Sequence, residues 1–407
     1  MKICVLTHTF PKSKKDTTAP FMHALSLGLK KAGHEIIVLT PYTKDLKKQD
    51  FPYKIVTYKY IWPDSFHVLG YSQTLKNGSG LKFSTYLLFP FFSFFGTLAL
   101  LNLVRKEKIN IISSHWIIPN GFFAFLVSRF LKVPYIVSLP GSDVYLAKKN
   151  KIFGMFAKIT ADNALSIIAD SPRFLDEILS FKVKAKNTEI IPYPVVMEKK
   201  KSSLKEINLL REKLNLIKNN LVILAVGRLV YKKGFDYLIK AIPPIAKIHK
   251  NVRLIIIGDG DLRKELENLA LELKIDNCVK FVGNVNRKDL ITYYNMSDIF
   301  VASSIKDNEG NMDDQPVSLI EAMACGKPIV ATNFPGIAMT VKNGINGFLF
   351  PEKDINSLRL CLNKLIISPK LRNKMGLESK KIVLKEITDK KIGERYSNLI
   401  LSSLKTI

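Results

Sequence analysis

The sequence predicts an α/β protein made of two doubly wound parallel sheets. Short apolar runs alternate with helix-length amphipathic stretches from end to end, which is the mark of parallel βαβ units. The alternation occurs twice, and each half opens with a strand that runs into a loop. The 407 residues also suffice for two domains of the usual size, about 100–200 residues each, every one with its own core.

In the first half the strand runs are "KICVLT" (2–7), "EIIVLT" (35–40), "YKIVTYKY" (53–60), "INIISS" (109–114), "PYIVSL" (134–139), "LSIIAD" (165–170) and "TEIIP" (188–192). In the second they are "LVILAVG" (221–227), "VRLIIIG" (252–258), "CVKFVG" (278–283), "DIFVAS" (298–303), "PIVAT" (328–332) and "GFLF" (347–350). The connector "PYPVVMEKKKSS" (192–203), proline-containing and then charged, marks the boundary between them. The expected domains are therefore 1–195 and 196–385, with 386–407 as a final helical stretch. Two such sheets are expected to face each other across a cleft. Ligands of open parallel sheets bind beyond the carboxyl ends of the strands, so the loops after "VLT", "ISS", "VSL", "AVG", "IIIG" and "VAS" should line it.

Charge is the compositional outlier. With 62 Lys+Arg against 35 Asp+Glu the formal charge is +27, which concentrates anions near the surface: nucleic acid, phosphorylated metabolites or acidic headgroups. Codon bias towards Lys, Ile and Asn would produce the same excess. A nucleic-acid partner is not expected, because finger spacing, an aromatic RNA-binding strand and an arginine-rich tract are all lacking. Cys4, Cys278, Cys325 and Cys361 are far apart, and the six histidines show no ligand spacing. No metal site is expected from them, and a reducing cytoplasm is. "MKICVLTHTF" enters a strand at once, without a secretory h-region.

One segment bears on membranes. Residues 86–104, "YLLFPFFSFFGTLALLNLV", are nearly long and apolar enough to span a bilayer, but Pro90, Ser93, Gly96, Thr97 and Asn102 interrupt the run, and a buried-strand pattern follows within a few residues. A core helix, or a helix whose aromatic face dips into a lipid surface beside Lys76, Lys82, Lys106 and Lys108, fits better than a span.

The chemistry collects at strand ends of the second half. After "LVILAVG", whose last residue is Gly227, comes "RLVYKKGFDYLIKA", with Arg228 at the strand end and Lys233 before Gly234. Arg forks onto two oxygens and Lys supplies a movable point charge, a pair suited to a diphosphate; two solvated loop cations are the plain alternative. In "IIIGDGDLRKELE", Asp259 and Asp261 form a DxD that either holds a divalent ion or, more plainly, surrounds a Gly258/Gly260 turn with Asp261 capping the helix from Leu262. "DDQPVSLIEAMACGKPIVAT" (313–332) offers Asp313 or Asp314 as a cap, Pro316 in the first turn and Gly326 beyond the last. Its helix start is an anion seat. Glu321, a turn or more inside, either sits on an exposed face or accepts from vicinal hydroxyls such as those of a ribose.

These stretches resemble the retaining glycosyltransferases of the GT-B fold. The resemblance covers nearly the whole chain and is carried by "GHEIIVLTP", "SSHWIIPNG", "PGSDV", "AVGRLVYKKGFDYLIKA", "IIIGDGDLRKELE", "FVGNVNRKDLITYYNMSDIFVASS", "PVSLIEAMACGKPIVAT" and "KNGINGFLF". It implies an E-x7-E motif at Asp313 and Glu321, the first at hydroxyls of the transferred sugar and the second at the nucleotide ribose. It implies that Arg228 and Lys233 stabilise the departing diphosphate, that the backbone of Val317 and Ser318 holds phosphate, that Gly227 belongs to the donor-binding set, and that Gly283 and Asn284 approach the base. In the first domain it places His115 near the reacting carbon and Asp143 on a loop facing the acceptor. The last helix would cross back to the first domain, and the domains would close on the donor. Asp313 stands where the family has Glu, Asp314 where Gly is common, and Pro140 where relatives have His; the loop "PKSKKDTTAPF" (11–21) lacks the frequent Gly-Gly.

The implied reaction is sugar transfer from a nucleotide-diphosphate sugar to an acceptor hydroxyl, by front-face displacement with neither cofactor nor metal. The acceptor would be a glycan or a lipid-linked molecule at the cytoplasmic face of an anionic membrane. A GT-B sugar-nucleotide epimerase or hydrolase, and a non-catalytic binder of anionic membranes, are the alternatives.

Overall fold

Every apolar run named above becomes a strand. The computed structural model describes residues 1–14, 16–71, 75–76, 80–81, 83–196, 202–308 and 310–405. The chain divides into two compact units, Met1–Val196 with Ile387–Ile407, and Met197–Glu386. The charged part of the connector, residues 197–201, lies outside the described residues, as do Lys15, Lys82 and Glu309 and the side chains of Lys76 and Tyr86.

The first unit holds a seven-stranded sheet of β1 (Lys2–Leu6), β2 (Glu35–Pro41), β3 (Lys54–Tyr58), β6 (Ile111–His115), β7 (Tyr135–Leu139), β8 (Ser166–Ala169) and β9 (Thr188–Ile190), in the order β3-β2-β1-β6-β7-β8-β9. A small hairpin, β4 (Leu75–Lys76) with β5 (Gly80–Leu81), stands apart from it. The second unit holds β10 (Leu221–Val226), β11 (Val252–Ile257), β12 (Val279–Gly283), β13 (Ile299–Ala302), β14 (Ile329–Thr332) and β15 (Gly347–Phe350), in the order β12-β11-β10-β13-β14-β15. Neighbouring strands in both sheets are parallel. The interior strands are buried along nearly their whole length, as expected of a sheet covered by helices on both faces.

Strand order fixes where a ligand can sit. In the second unit the chain winds outward from β10 to β12 and then returns to the other side of β10 with β13. The loops after β10 and β13 part at this switch point and leave a crevice at their carboxyl ends. Those are the loops carrying Arg228, Lys233 and the approach to Glu321.

The terminal helix Asp389–Leu404 belongs to the first unit, packed on the helix Pro20–Lys31. Their backbones meet at glycines: a Cβ on Gly28 would lie 2.0 Å from the Asp389 carbonyl oxygen, and one on Gly393 would lie 2.2 Å from the Gly28 carbonyl carbon. Polar ties flank this contact, Lys31 to Asp389 at 2.5 Å, His34 to Ser397 at 2.8 Å and Ser166 to Ser403 at 2.7 Å.

The aromatic segment forms the helix Phe83–Glu107. It is long and apolar enough to cross a membrane by length and composition alone. One face joins the core through Leu88, Phe92, Leu100, Leu103 and Val104, while Leu87, Phe91, Phe94, Phe95 and Leu98 are exposed. Phe92 is 2% exposed and packs on the rings of Tyr60 and Phe123, so it is a core residue and does not belong to a lipid-facing set.

Candidate active site

The site begins where β10 ends. Gly227 N–H donates to the Ile257 carbonyl at 2.9 Å, and a Cβ at Gly258 would strike the Gly227 oxygen at 1.9 Å, so the loops after β10 and β11 run backbone against backbone. Tyr231–Lys233 then make one 3-10 turn that ends on Gly234, at φ +58°. Only glycine fits there: the conformation is left-handed, and a Cβ would lie 2.1 Å from the Ser303 carbonyl oxygen. Ser303 Oγ donates to the Lys233 carbonyl at 3.1 Å and Ile305 N–H to the Lys232 carbonyl at 2.9 Å. The turn is thereby fastened to the loop after β13.

Lys233 folds back over Gly227, where a Cβ would meet its Cε at 2.9 Å, and its ammonium pairs with the carboxylate of Asp313. Burial acts to raise the Asp313 pKa, but the charges of Lys233, Lys232 and Arg228 outweigh it and hold the carboxyl below the usual range. Lys232, mostly desolvated, has its pKa lowered by burial against the pull of Asp313; its ammonium reaches Asn311 Oδ1 at 3.4 Å. Arg228 is exposed. Three cations thus act on Asp313 at the strand ends, and Asp307 adds a second negative charge near Lys232; the balance remains a positive surplus that an anion would neutralise.

The helix Val317–Ala324 supplies the next element. Pro316 occupies its N-cap, without a side-chain cap, and Gly326 follows the last turn at φ +73°. Neither Asp313 nor Asp314 caps it, contrary to expectation. Asp313 is engaged by Lys233, and Asp314 Oδ1 accepts from Gly336 N–H at 2.9 Å, at the start of the next helix, Pro335–Thr340. The amides of Val317 and Ser318 precede the first helical hydrogen bond, Leu319 N–H to the Pro316 carbonyl at 3.0 Å. Ser318 Oγ donates to the Val226 carbonyl at 3.0 Å, which pins this amide-rich tip to the end of β10. Helix tip, Gly227 and the cations therefore come together, the local arrangement that seats a phosphate.

Glu321 lies one turn further in and is not on an open face. Its Oε1 accepts from Arg287 Nη1 at 2.8 Å and its Oε2 from the Tyr294 hydroxyl at 3.0 Å. Gly283, at φ +81°, and exposed Asn284 close β12 and lead into the helix Arg287–Met296, whose start is capped by Asn286 accepting from Asp289 N–H at 3.1 Å. Nothing in the sequence singles out Arg287, Tyr294 or Lys232. Arg287 stands 34 residues before Glu321 with no periodicity connecting them, and the pairing exists only once the sheet order is known.

The DxD resolves into a turn. Asp259 Oδ1 accepts from Gly260 N–H at 2.8 Å. The following helix spans Arg263–Glu272 behind Leu262 as N-cap, so Asp261 caps nothing. Among the described residues no cluster of three or more His, Cys, Asp or Glu side chains could hold a metal ion.

The first unit's two candidates are both buried. His115 is 0% exposed, its Nε2 3.2 Å from Ser113 Oγ and its Nδ1 3.2 Å from the Tyr193 hydroxyl, and burial lowers its pKa to about 3. Asp143 is equally buried, accepting from the amides of Ile117 at 2.5 Å and Gly141 at 3.2 Å, with burial pushing its pKa up to about 6. Both side chains are buried, and their hydrogen bonds as found are to groups of their own unit.

A family model described as Glycosyl transferases group 1 matches residues 206–382, and one described as Glycosyltransferase Family 4 matches residues 19–199. An uncharacterised glycosyltransferase of Methanocaldococcus jannaschii is 30% identical over 285 residues, 68% of this chain and 70% of its own. The alpha-monoglucosyldiacylglycerol synthase of Streptococcus pneumoniae is 23% identical, across 99% of this chain and 87% of that enzyme. The structure of Anabaena HepE in complex with UDP superposes with a TM-score of 0.75 over 99% of this chain and 100% of HepE, at 20% identity. With two parallel-sheet α/β units in the GT-B fold, the chain is an enzyme that belongs to the group 1 glycosyltransferases.

Proposed function

We propose that this glycosyltransferase moves a sugar from a nucleoside-diphosphate sugar to an acceptor hydroxyl with retention of anomeric configuration. The observation that carries the donor reading is the surplus of Arg228, Lys232 and Lys233 over Asp313 and Asp307 beside the tip of the Val317–Ala324 helix. HepE, similar in fold, was solved with UDP. In the proposed step the bond from the anomeric carbon to the diphosphate oxygen breaks while the acceptor oxygen bonds to the same face, and the acceptor's proton passes to the departing diphosphate. The charge developing on that leaving group is what Arg228 and Lys233 would stabilise without a metal ion, already in place before reaction. Asp313, paired with Lys233, is suited to accept from sugar hydroxyls. Glu321 would accept from the ribose, and Gly283 and Asn284 would border the base.

The acceptor is proposed to be lipid-linked, met at the cytoplasmic face of an anionic membrane. The exposed Leu87, Phe91, Phe94, Phe95 and Leu98 line one helix face, and exposed Arg105, Lys106 and Lys108 follow at its carboxyl end. Apolar contact and attraction to acidic headgroups then act together. The similar Streptococcus enzyme is named for a glycolipid product.

A thermal-shift panel of UDP, GDP, ADP and their sugars tests the donor. A true ligand at about 100 times its Kd adds about 2.7 kcal/mol to stability, and a flat response to all of them would refute the reading. Donor turnover yielding free sugar or an isomerised donor, and no glycoside with any lipid acceptor, would favour a hydrolase or epimerase.

A further inference from the structure

Glu321 is held by two donors that the transfer step does not use. The Arg287 and Glu321 side chains are 13% and 14% exposed, and Tyr294 is 1% exposed. Arg287 and Tyr294 lie on one helix, seven residues apart, so two successive turns present both donors to the same carboxylate. Each takes one position on a different oxygen. A carboxylate offers about four acceptor positions, which leaves one on each oxygen. Both donors are permanent. A guanidinium does not lose its proton, and burial together with the neighbouring Glu321 charge holds the Tyr294 hydroxyl well above its ordinary pKa. Turning the carboxylate away would break the Arg287 ion pair and leave the desolvated Tyr294 hydroxyl unmatched. The result is a fixed pair of acceptors side by side, a shape that matches two adjacent hydroxyls better than one.

We propose that Arg287 and Tyr294 are positioning residues that lock Glu321 as a two-oxygen acceptor for the vicinal 2′,3′-diol of a ribonucleoside diphosphate, and thereby set discrimination against 2′-deoxynucleotide donors. This rests on the reading that Glu321 meets the donor ribose. Arg287→Gln and Tyr294→Phe free the carboxylate to rotate, so the penalty for a missing hydroxyl shrinks while the phosphate and base contacts stay.

The test is a cycle between protein and ligand changes, with Kd measured by titration calorimetry for UDP, GDP and ADP and for their 2′-deoxy counterparts. The wild type is expected to prefer the ribo form of its base by about ten- to a hundredfold, the range for one hydrogen bond to a charged group. In Arg287→Gln and Tyr294→Phe that ratio should collapse towards one, mainly through weaker ribo binding, and Arg287→Lys should recover part of it. A ratio that survives in both variants while ribo and deoxy affinities fall together would overturn the proposal, because it would place Arg287 on the phosphates or in the scaffold. If Glu321→Gln abolishes the ratio and the other variants do not, the ribose reading stands and only the positioning role is lost. If the wild type shows no ratio, or binds none of the six nucleotides, both fall. Tyr294→Phe removes a single oxygen, and its unfolding midpoint, read beside the Kd values, separates loss of fold from loss of selectivity.

Discussion

The two units place their polar groups differently. Beyond the carboxyl ends of β10, β12 and β13 the ionisable side chains are paired yet partly accessible, Lys233 with Asp313 and Arg287 with Glu321. At the equivalent edge of the first sheet, His115 and Asp143 are buried and hydrogen-bonded to backbone amides or neighbouring hydroxyls. A group that must meet a ligand keeps unused capacity and a counter-ion it can share. A group that holds loops together is desolvated, and burial shifts its pKa towards the neutral form. The shifts follow this division: the Asp313 pKa is lowered by its cations, whereas that of Asp143 is raised by burial.

The two units are told apart most forcefully at Lys233. Replacement by Ala should reduce kcat by about 10²–10³ and leave the unfolding midpoint close to wild type; full turnover would remove the second unit from the chemistry. Asp143→Ala should behave in the opposite way. Stranding the Ile117 and Gly141 amides costs about 1–3 kcal/mol of stability, while nucleotide affinity measured by calorimetry stays unchanged. A drop in transfer without loss of stability would instead place Asp143 at the acceptor.

Acid titration sharpens the contrast further. His115 is neutral in the fold, with its pKa lowered from 6.5 to about 3, so the unfolded chain binds the proton more readily. Its contribution is complete above pH 6.5 and is lost as the pH falls towards about 3. Asp143, raised from 3.8 to about 6, acts in the reverse sense. The fold takes its proton more readily, and stability from this group declines as pH rises through that window. Asp143→Asn should therefore make acid destabilisation steeper below pH 6 in unfolding curves, and His115→Gln shallower. The smallest effect on the fold is expected at the aromatic helix. Phe91, Phe94 and Phe95 changed together to Ser should abolish flotation with anionic liposomes at little cost in stability, whereas Phe92→Ser should destabilise the first unit. Unchanged flotation in the triple variant would leave the exposed face without a membrane role.

Much of this is legible in the sequence because the signals are local. Thirteen apolar runs, their spacing and their turn glycines settle the strands, and the strand ends locate Arg228, Lys233 and Glu321. What escaped depends on neighbours distant in sequence. Asp314 looks like a cap for its own helix, yet Gly336 claims it. Phe91 and Phe92 are chemically identical, and only the direction each faces from the helix separates the surface from the core. Glu321 looks solvated until the Arg287–Met296 helix is laid beside it. His115 and Asp143 carry reactive chemistry on paper, but nothing within a few residues of either reveals that the chain buries them.

The glycine seam between Pro20–Lys31 and Asp389–Leu404 has a consequence for biogenesis. The first unit is discontinuous, and the ribosome must add residues 387–405 before the partner surface around Gly28 can be covered. The second unit, an uninterrupted segment, can therefore complete its fold while the earlier-made portion still waits for its closing helix. Nascent chains stalled ahead of residue 387 should remain protease-sensitive in the first unit, and supplying the missing helix as a separate peptide should restore resistance.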